Sequence, residues 1–574
     1  MVATAYPRTF VPQDLKLERF ADVEPLYREL LDRPIESPAA LERWLRDFSE
    51  LSSVVDEVGS RRYIEKSCHT DDPAIERAYM QFVEEVEPKI KPFYFKLQKR
   101  FLESPHLSQL TESRYAMLAR KWRPDVELFR EENVPLETEL TKLANEYDKT
   151  CAAMTVNFRG EELTLQQAAR FLEEPDRATR EEAYRLIVAR RLQDKDTIES
   201  IFDGMLPIRD QIAHNAGQDD YRAYIWKAMK RFDYTPDDCL RFADAIAETV
   251  VPLVNELDRQ RKIDLKLEKL RPWDTAVDPQ NRPPLRPFKQ DQTERLVDMT
   301  KEIFARMSPQ LADDLESLRQ RRNLDLASRK GKQPGGYQAT LEERREPFIF
   351  MNAVGLQRDV ETLLHEGGHA FHTLAARDEP LQFLRSAPIE FCEVASMSME
   401  TLGAEHMEVF YTDPAEAARA KRTYFEKVIG LLPWIATIDA FQHWIYTHPG
   451  HTRDERADEW MRLRKRFGPS PEHFDFSGFE DYRRHEWHRQ LHLFQSPFYY
   501  VEYGIAQLGA LQLWMKAREN PRQALANYRA ALALGGTRPL PELFAAAGIR
   551  FDFSAKTLGP LVRAVGEELE RLPR

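Results

Sequence analysis

Val360-Glu-Thr-Leu-Leu-His-Glu-Gly-Gly-His-Ala-Phe-His372 places two histidines four residues apart, with a glutamate directly after the first. Val360, Leu363, Leu364, Phe371 and Leu374 recur at helical spacing, so the segment reads as an amphipathic helix with Asp359 as its N-cap. One turn separates His365 from His369, and both imidazoles can therefore converge on one ion from the same face. Glu366 follows around the helix beside that ion, where it can hold a metal-bound water. Gly367 and Gly368 each cost a helix about 1 kcal/mol relative to alanine. That cost points to close approach of another element or of substrate backbone, or to tight helix packing. His372 lies about 10 Å along the axis from His365, too far to share one zinc with it, and takes a role other than ligand.

A third protein ligand must come from outside this helix, leaving a fourth position for water. A metzincin would need Gly at 372 and His at 375, where this chain has His372 and Ala375. Downstream, Pro388-Ile-Glu-Phe-Cys-Glu-Val-Ala-Ser-Met-Ser-Met-Glu400 offers Glu390, Glu393 and Glu400 on a second helical pattern. Glu393 and Glu400 share a face, with Ser396 and Met397 between them. Spacing alone leaves the choice among the three open.

Around this centre the chain is mainly helical. Leu41, Trp44, Leu45, Phe48 and Leu51, and again Phe242, Ile246, Val250, Leu253 and Leu257, repeat at three and four residues. The exception is Pro347-Phe-Ile-Phe-Met-Asn352, a strand pattern that could offer an edge to extended substrate backbone or lie as a plain buried strand of a small sheet. The Pro-rich stretch Arg271 to Lys289 reads as an excursion within a domain, since helical pattern resumes on both sides. The basic run Arg319, Arg321, Arg322, Arg329, Lys330, Lys332 reads as a solvated face. A boundary near residue 200 divides an N-terminal helical region, 1–200, from a catalytic region, 201–574.

Composition sets the class. The 574 residues are 42% hydrophobic and 31% charged, which suits a soluble globular protein. With 83 basic and 95 acidic residues the net charge is -12, so no general basic field attracts nucleic acid. The four cysteines form no C-x-x-C pair and suggest neither a disulfide framework nor a thiolate zinc site. No apolar run is long enough to span a bilayer. Met1 to Phe20 has no apolar signal region or cleavage site, and a cytoplasmic location is expected.

The segments Glu361-Thr-x-x-His365-Glu-x-Gly-His369-x-x-His372, Phe391-Cys-Glu-Val-Ala-Ser-Met-Ser-Met-Glu400 and Ser496-Pro-Phe-Tyr-Tyr-Val-Glu-Tyr503-Gly together resemble the thimet-oligopeptidase-like metallopeptidases, most closely the oligoendopeptidase F branch. The resemblance covers residues 200 to 560, and more weakly 115 to 190. It implies a multi-helical zincin-like fold with two helical lobes around a channel and a small β element near the active site. It selects Glu393, in the E-V-x-S segment, as third ligand of one Zn2+ ion, and places Glu361 in contact with a ligand histidine. Ser496-Pro497 reads as N-cap and N1 of a helix that sets Tyr499 and Tyr503 on one face, with His492 in the approach. The family likeness gives Tyr503, Tyr499 and His492 functional roles, with Tyr500 as the alternative in that register.

These parts imply a zinc-dependent endopeptidase that cuts short peptides, with Glu366 as general base. One rival is a dipeptide-releasing zinc carboxypeptidase of the same superfamily. Another is a non-catalytic peptide-binding protein on this scaffold. Oligomeric state is not legible.

Overall fold

The computed structural model describes residues 6–329, 331–333 and 335–574; Lys330 of the basic run lies outside them. The chain is mainly helical, with five short strands among the described residues. It divides into two compact units, each built from three stretches of sequence.

The first unit comprises Met1–Glu127, Arg286–Ala417 and Gly509–Phe551. Its long helix Pro38–Cys68 starts at Ser37, whose side chain accepts the Ala40 N–H, with Pro38 at the first helical position. Leu41, Trp44, Leu45, Phe48 and Leu51, the periodic set of the sequence, are all fully buried in one core with Phe101, Leu118 and Trp122. A three-stranded sheet of order β3-β5-β4 joins this unit, with β3 at Leu324–Ala327, β4 at Tyr337–Leu341 and β5 at Glu346–Ala353. β5 pairs parallel with β3 and antiparallel with β4, in the register Gln338↔Ile349 and Thr340↔Pro347.

Of the two sequence readings of Phe348 to Asn352, the substrate-pairing edge gives way to the buried strand of a small sheet. That segment is the central strand, buried at Ile349, Phe350 and Met351, as its nearly continuous apolar run permits. The edge next to the metal-motif helix is β4: Gln338 Nε2 donates to Thr373 Oγ1 at 3.4 Å, and Thr340 Oγ1 lies 3.2 Å from the same hydroxyl.

The basic run is mostly engaged rather than solvated. Arg319 pairs with Asp298 and Glu316, and Arg321 with Glu346. Lys332 is buried and donates to the Asp325 carboxylate and to the carbonyls of Ala327 and Met351. It ties β3 to β5.

The second unit comprises Leu128–Leu285, Ala418–Leu508 and Asp552–Arg574. A hairpin of β1 (Thr155–Phe158) and β2 (Glu161–Thr164) turns through Arg159 and Gly160, both at positive φ. The second periodic set is split. Phe242 and Ile246 lie buried on helix Pro236–Thr249, and Pro252 opens a new helix, Val251–Asp264, on which Leu253 and Leu257 are half-buried. Residue 200 falls inside helix Lys195–Asn215. The Pro-rich stretch, read from sequence as an internal excursion, contains a passage between the units at Leu285 and Arg286. It is pinned by the fully buried Asp274, which accepts from Arg177 and Arg180.

Two helical glycines should respond oppositely to a methyl group. A Cβ on Gly368 would stand 2.4 Å from the Ala395 carbonyl oxygen, and one on Gly430, an exposed residue of helix Pro414–Thr447, meets nothing within 4 Å. Gly368→Ala should cost about 1–3 kcal/mol by overpacking, while Gly430→Ala should gain up to about 1 kcal/mol of helix propensity. Urea unfolding in the presence of a chelator, which removes any metal contribution, checks both signs.

Candidate metal centre

The motif helix spans Gln357–Ala376. Asp359 does not cap it as the sequence suggests. The N-cap is Leu356, and Asp359 sits at the third helical position, where its carboxylate accepts the backbone N–H groups of Val354 and Leu356 at 2.8 and 2.9 Å. Leucine cannot cap with its own side chain, and the acid reaches back to do so.

A second helix, Ile389–Gly403, packs directly on the motif helix. Its Ala395 carbonyl and Ser396 Cα occupy the space a side chain at 368 would need. Tyr528 Oη donates to the same Ala395 carbonyl at 2.8 Å, fixing the second helix from its other side. Glycine at 368 is therefore a packing requirement of two helices, and their close approach brings Glu393 to the histidines.

One nitrogen each from His365 and His369 and one oxygen from Glu393 lie within 4.8 Å of one another. His365 Nε2 is 3.5 Å, and His369 Nε2 3.7 Å, from Glu393 Oε2. Tetrahedral donors at about 2.0–2.2 Å from a zinc ion stand about 3.3–3.6 Å apart. The rings meet edge to face at 4.9 Å and 82°, so each presents Nε2 to the shared point. This donor set fits a zinc ion. Ser396 Oγ donates to Glu393 Oε2 at 3.0 Å and holds that carboxylate in place.

Glu400, which spacing left as a rival ligand, lies behind the site. Its Oε1 is 2.7 Å from His365 Nδ1. A carboxylate there accepts a hydrogen bond from the Nδ1–H, which fixes the tautomer and leaves Nε2 as the donor atom. The sequence assigns this kind of support to Glu361, which is buried on the motif helix one turn before His365. The signal for Glu400 was its two-turn spacing from Glu393, which carries one acid to the ion and the other to the imidazole behind it. Glu390 is buried on the same helix and is not part of the donor group. His372 is buried, and its Nε2 accepts the Ala387 N–H at 3.2 Å, a structural role.

Electrostatics divide the two histidines. Burial is the largest influence on His365 and pulls its pKa down, but the Glu400 hydrogen bond and charge, with Glu366 and Glu393 behind them, raise it to about 9. Burial beside two other imidazoles holds His369 well below its ordinary value. Glu366 is 6% exposed. Burial pushes its carboxyl up to about 7, with the charges of Glu393 and Glu400 adding and His365 opposing.

The tyrosine segment belongs to the second unit and departs from the expected helix start. Phe498 has φ 66, and helix Val501–Glu519 begins five residues after Ser496. Tyr499 thus lies in a turn, Tyr503 in the first helical turn, and His492 at the head of the short helix His492–Gln495. The grouping survives this correction. The His492 ring is 5.8 Å from Tyr499, 4.9 Å from Tyr500 and 6.0 Å from Tyr503, and Tyr499 is 5.3 Å from Tyr503. Gln490 Nε2 donates to His492 Nδ1 at 2.7 Å, and burial lowers the His492 pKa to about 4. All three tyrosines are half-buried.

A family model for peptidase family M3 matches residues 170–559, and one for the peptidase M3 N-terminal domain matches residues 13–129. The chain is 27% identical over 228 residues to an oligoendopeptidase F homolog of Borreliella burgdorferi. It is 22% identical over 247 residues to a chromosomal oligoendopeptidase F of Lactococcus lactis subsp. cremoris. These alignments take in 38% and 42% of this chain but span only 37% and 39% of the relatives' own length. Among solved structures, an X-ray structure assigned to oligoendopeptidase F and one of PZ peptidase A with an inhibitor both match with TM-score 0.89, at 26% and 25% identity, over 97% of this chain and 98% of theirs. With its M3 model covering well over half of the sequence, the chain belongs to peptidase family M3.

Proposed function

We propose that the chain is a zinc-dependent endopeptidase acting on short peptides, with His365, His369 and Glu393 as metal ligands and Glu366 as general base. The observation that carries this reading is the convergence of the three donor atoms within 4.8 Å, on the helix that also bears Glu366. Membership of family M3 and the names of the similar proteins support peptides as the substrate class. A zinc ion held there supplies Lewis acidity toward the scissile carbonyl and lowers the pKa of the attacking water. Glu366, buried beside the two histidines on the same helix, would accept the water proton and return it to the leaving amine. Glu400 keeps His365 in its donor tautomer, and Glu361 supports the same helix face from one turn away.

β4 offers its open edge beside the motif helix to extended substrate backbone, in the place first assigned to β5. Pairing of this kind is largely blind to side chains. Tyr503, with Tyr499 and His492, is assigned to donors for the developing oxyanion, a role resting on the family likeness of their segment. Their half-burial suits hydroxyls that must reach a ligand better than it suits core packing.

Metal content separates the roles. His369→Ala and Glu393→Gln should leave the chain without tightly bound zinc, whereas Glu366→Gln should bind it normally and lose turnover. Glu400→Ala should fall between, with zinc affinity reduced about 10–100-fold. Metal analysis after dialysis against graded chelator reads all four. A zinc-replete Glu393→Gln protein, with metal lost in Glu390→Gln instead, would reassign the third ligand.

Tyr503→Phe should lower kcat with KM nearly unchanged, by about 2.7–4 kcal/mol of transition-state stabilisation for a well-placed donor. A folded variant with unaltered kcat would return Tyr503 to packing. For the reaction itself, peptides of about a dozen residues blocked at both termini should be cut internally, as mapped by mass spectrometry. Cleavage that disappears when the C-terminus is blocked would favour the dipeptide-releasing carboxypeptidase. Peptide binding without cleavage by zinc-loaded protein would favour the binding protein.

A further inference from the structure

Cys239, Asp439 and His443, all in the second unit, bring a thiol sulfur, a carboxylate oxygen and an imidazole nitrogen within 4.8 Å of one another. They are 1%, 2% and 3% exposed. Asp439 and His443 stand one turn apart on helix Pro414–Thr447. Cys239 comes from the start of helix Pro236–Thr249, four residues after its cap Thr235.

Hydrogen bonding does not account for the carboxylate and the imidazole of this cluster. Asp439 Oδ1 and both ring nitrogens of His443 are buried without a hydrogen-bond partner. His443 Nε2 comes to 3.3 Å of Asp439 Oδ2 but without hydrogen-bond geometry. The remaining surroundings of the imidazole include two aromatic rings, Phe498 at 5.1 Å edge-on and Trp226 at 5.8 Å. A buried imidazole ordinarily donates from one nitrogen and accepts at the other.

We propose that Cys239, Asp439 and His443 bind a second divalent metal ion, of the zinc class, as a structural centre separate from the catalytic one. Thiolate, imidazole and carboxylate together select zinc among the common ions. On binding, the Cys239 thiol gives its proton to solvent and the sulfur bonds to the metal. The charges then sum to zero: thiolate and carboxylate balance a divalent cation, and the imidazole stays neutral. A centre of zero net charge is what a buried position tolerates.

The centre lies under the tyrosine segment. Phe498, at positive φ, leans its ring on His443, and its N–H is accepted by Gln442 Oε1 at 2.6 Å. Tyr499 follows directly. A metal on His443 therefore braces the turn from which that segment starts.

Cobalt(II) substitution tests the proposal without recourse to activity. Full-length protein stripped of metal and reloaded should bind two equivalents of Co2+ and show a thiolate-to-cobalt charge-transfer band in the near ultraviolet. The His365, His369 and Glu393 set contains no sulfur and cannot produce that band, so the signal is independent of the catalytic assignment. Cys239→Ser should lose the band and weaken one equivalent, while His369→Ala should lose the other equivalent and keep the band. If Cys239→Ser does not fold, the wild-type spectrum still decides. A folded, reloaded wild type with one equivalent and no thiolate band would overturn the proposal, as would a band that persists in Cys239→Ser.

Discussion

The contact between the Gly368 Cα and the Ala395 carbonyl, with no room for a methyl group between them, governs the geometry of the candidate metal centre. Two helices packed through ordinary side chains run 8–10 Å apart. At such spacing a short carboxylate on one can reach a histidine on the other only with an extended rotamer and little left to steady it. With glycine at the crossing, Glu393 comes within 3.5 and 3.7 Å of the two imidazoles and still accepts from Ser396 of its own helix. The propensity that Gly368 sacrifices is thus offset by the placement of Glu393, while Gly367 makes room for the Phe304 ring. Tyr528 reinforces the arrangement from the far side by holding the same carbonyl.

That packing also concentrates acid. Glu361, Glu366, Glu390 and Glu393 are all buried within two helices, with Glu400 half-buried beside them. Carboxylates are almost never buried unless paired, and here Glu400 reaches His365 Nδ1 while Glu393 lies against both Nε2 atoms. Under the proposed function a divalent cation would neutralise charge at the one point where Glu393 and both Nε2 atoms converge, while Glu400 is directed to His365 Nδ1. Glu393 thus faces the shared point of the donor atoms and Glu400 the back of His365.

Local pattern made the motif helix legible, because the i, i+4 relation that lets two imidazoles share an ion is a property of a single helix. The amphipathic helices were legible for the same reason, as the burial of Leu41 through Leu51 shows. What escaped depends on partners distant in sequence. Strand order was hidden because β3, which turns β5 into a central strand, lies more than twenty residues upstream and pairs in parallel. Glu400 was visible as a neighbour of Glu393 but not as the partner of His365, since that depends on the crossing of two helices. The tyrosine helix was begun too early because Ser-Pro is a strong start signal, and nothing local announces that Phe498 adopts positive φ. The cysteine reading rests on spacing, a test that detects thiolate pairs on one loop and says nothing of a cluster such as Cys239, Asp439 and His443, drawn from helices 200 residues apart.

The two clusters obey one construction rule with different outcomes. In each, a single helix supplies two donors one turn apart, His365 with His369 or Asp439 with His443, and a neighbouring helix supplies the third, Glu393 or Cys239. They differ in exposure. His365 and His369 are half-buried while Cys239, Asp439 and His443 are all buried. Access to solvent leaves a coordination position for water and substrate, which catalysis requires. Full burial removes that access and leaves only stabilisation, which grows as metal binds the folded state and not the unfolded one. The donors follow the same division. The accessible set is made of imidazole and carboxylate, which tolerate exchange with water, and the buried set includes a sulfur, whose thiolate is most secure where oxidants cannot reach it. A chain that builds both in this way would keep its reactive ion accessible and its structural one sealed beneath the turn that carries Phe498 and Tyr499.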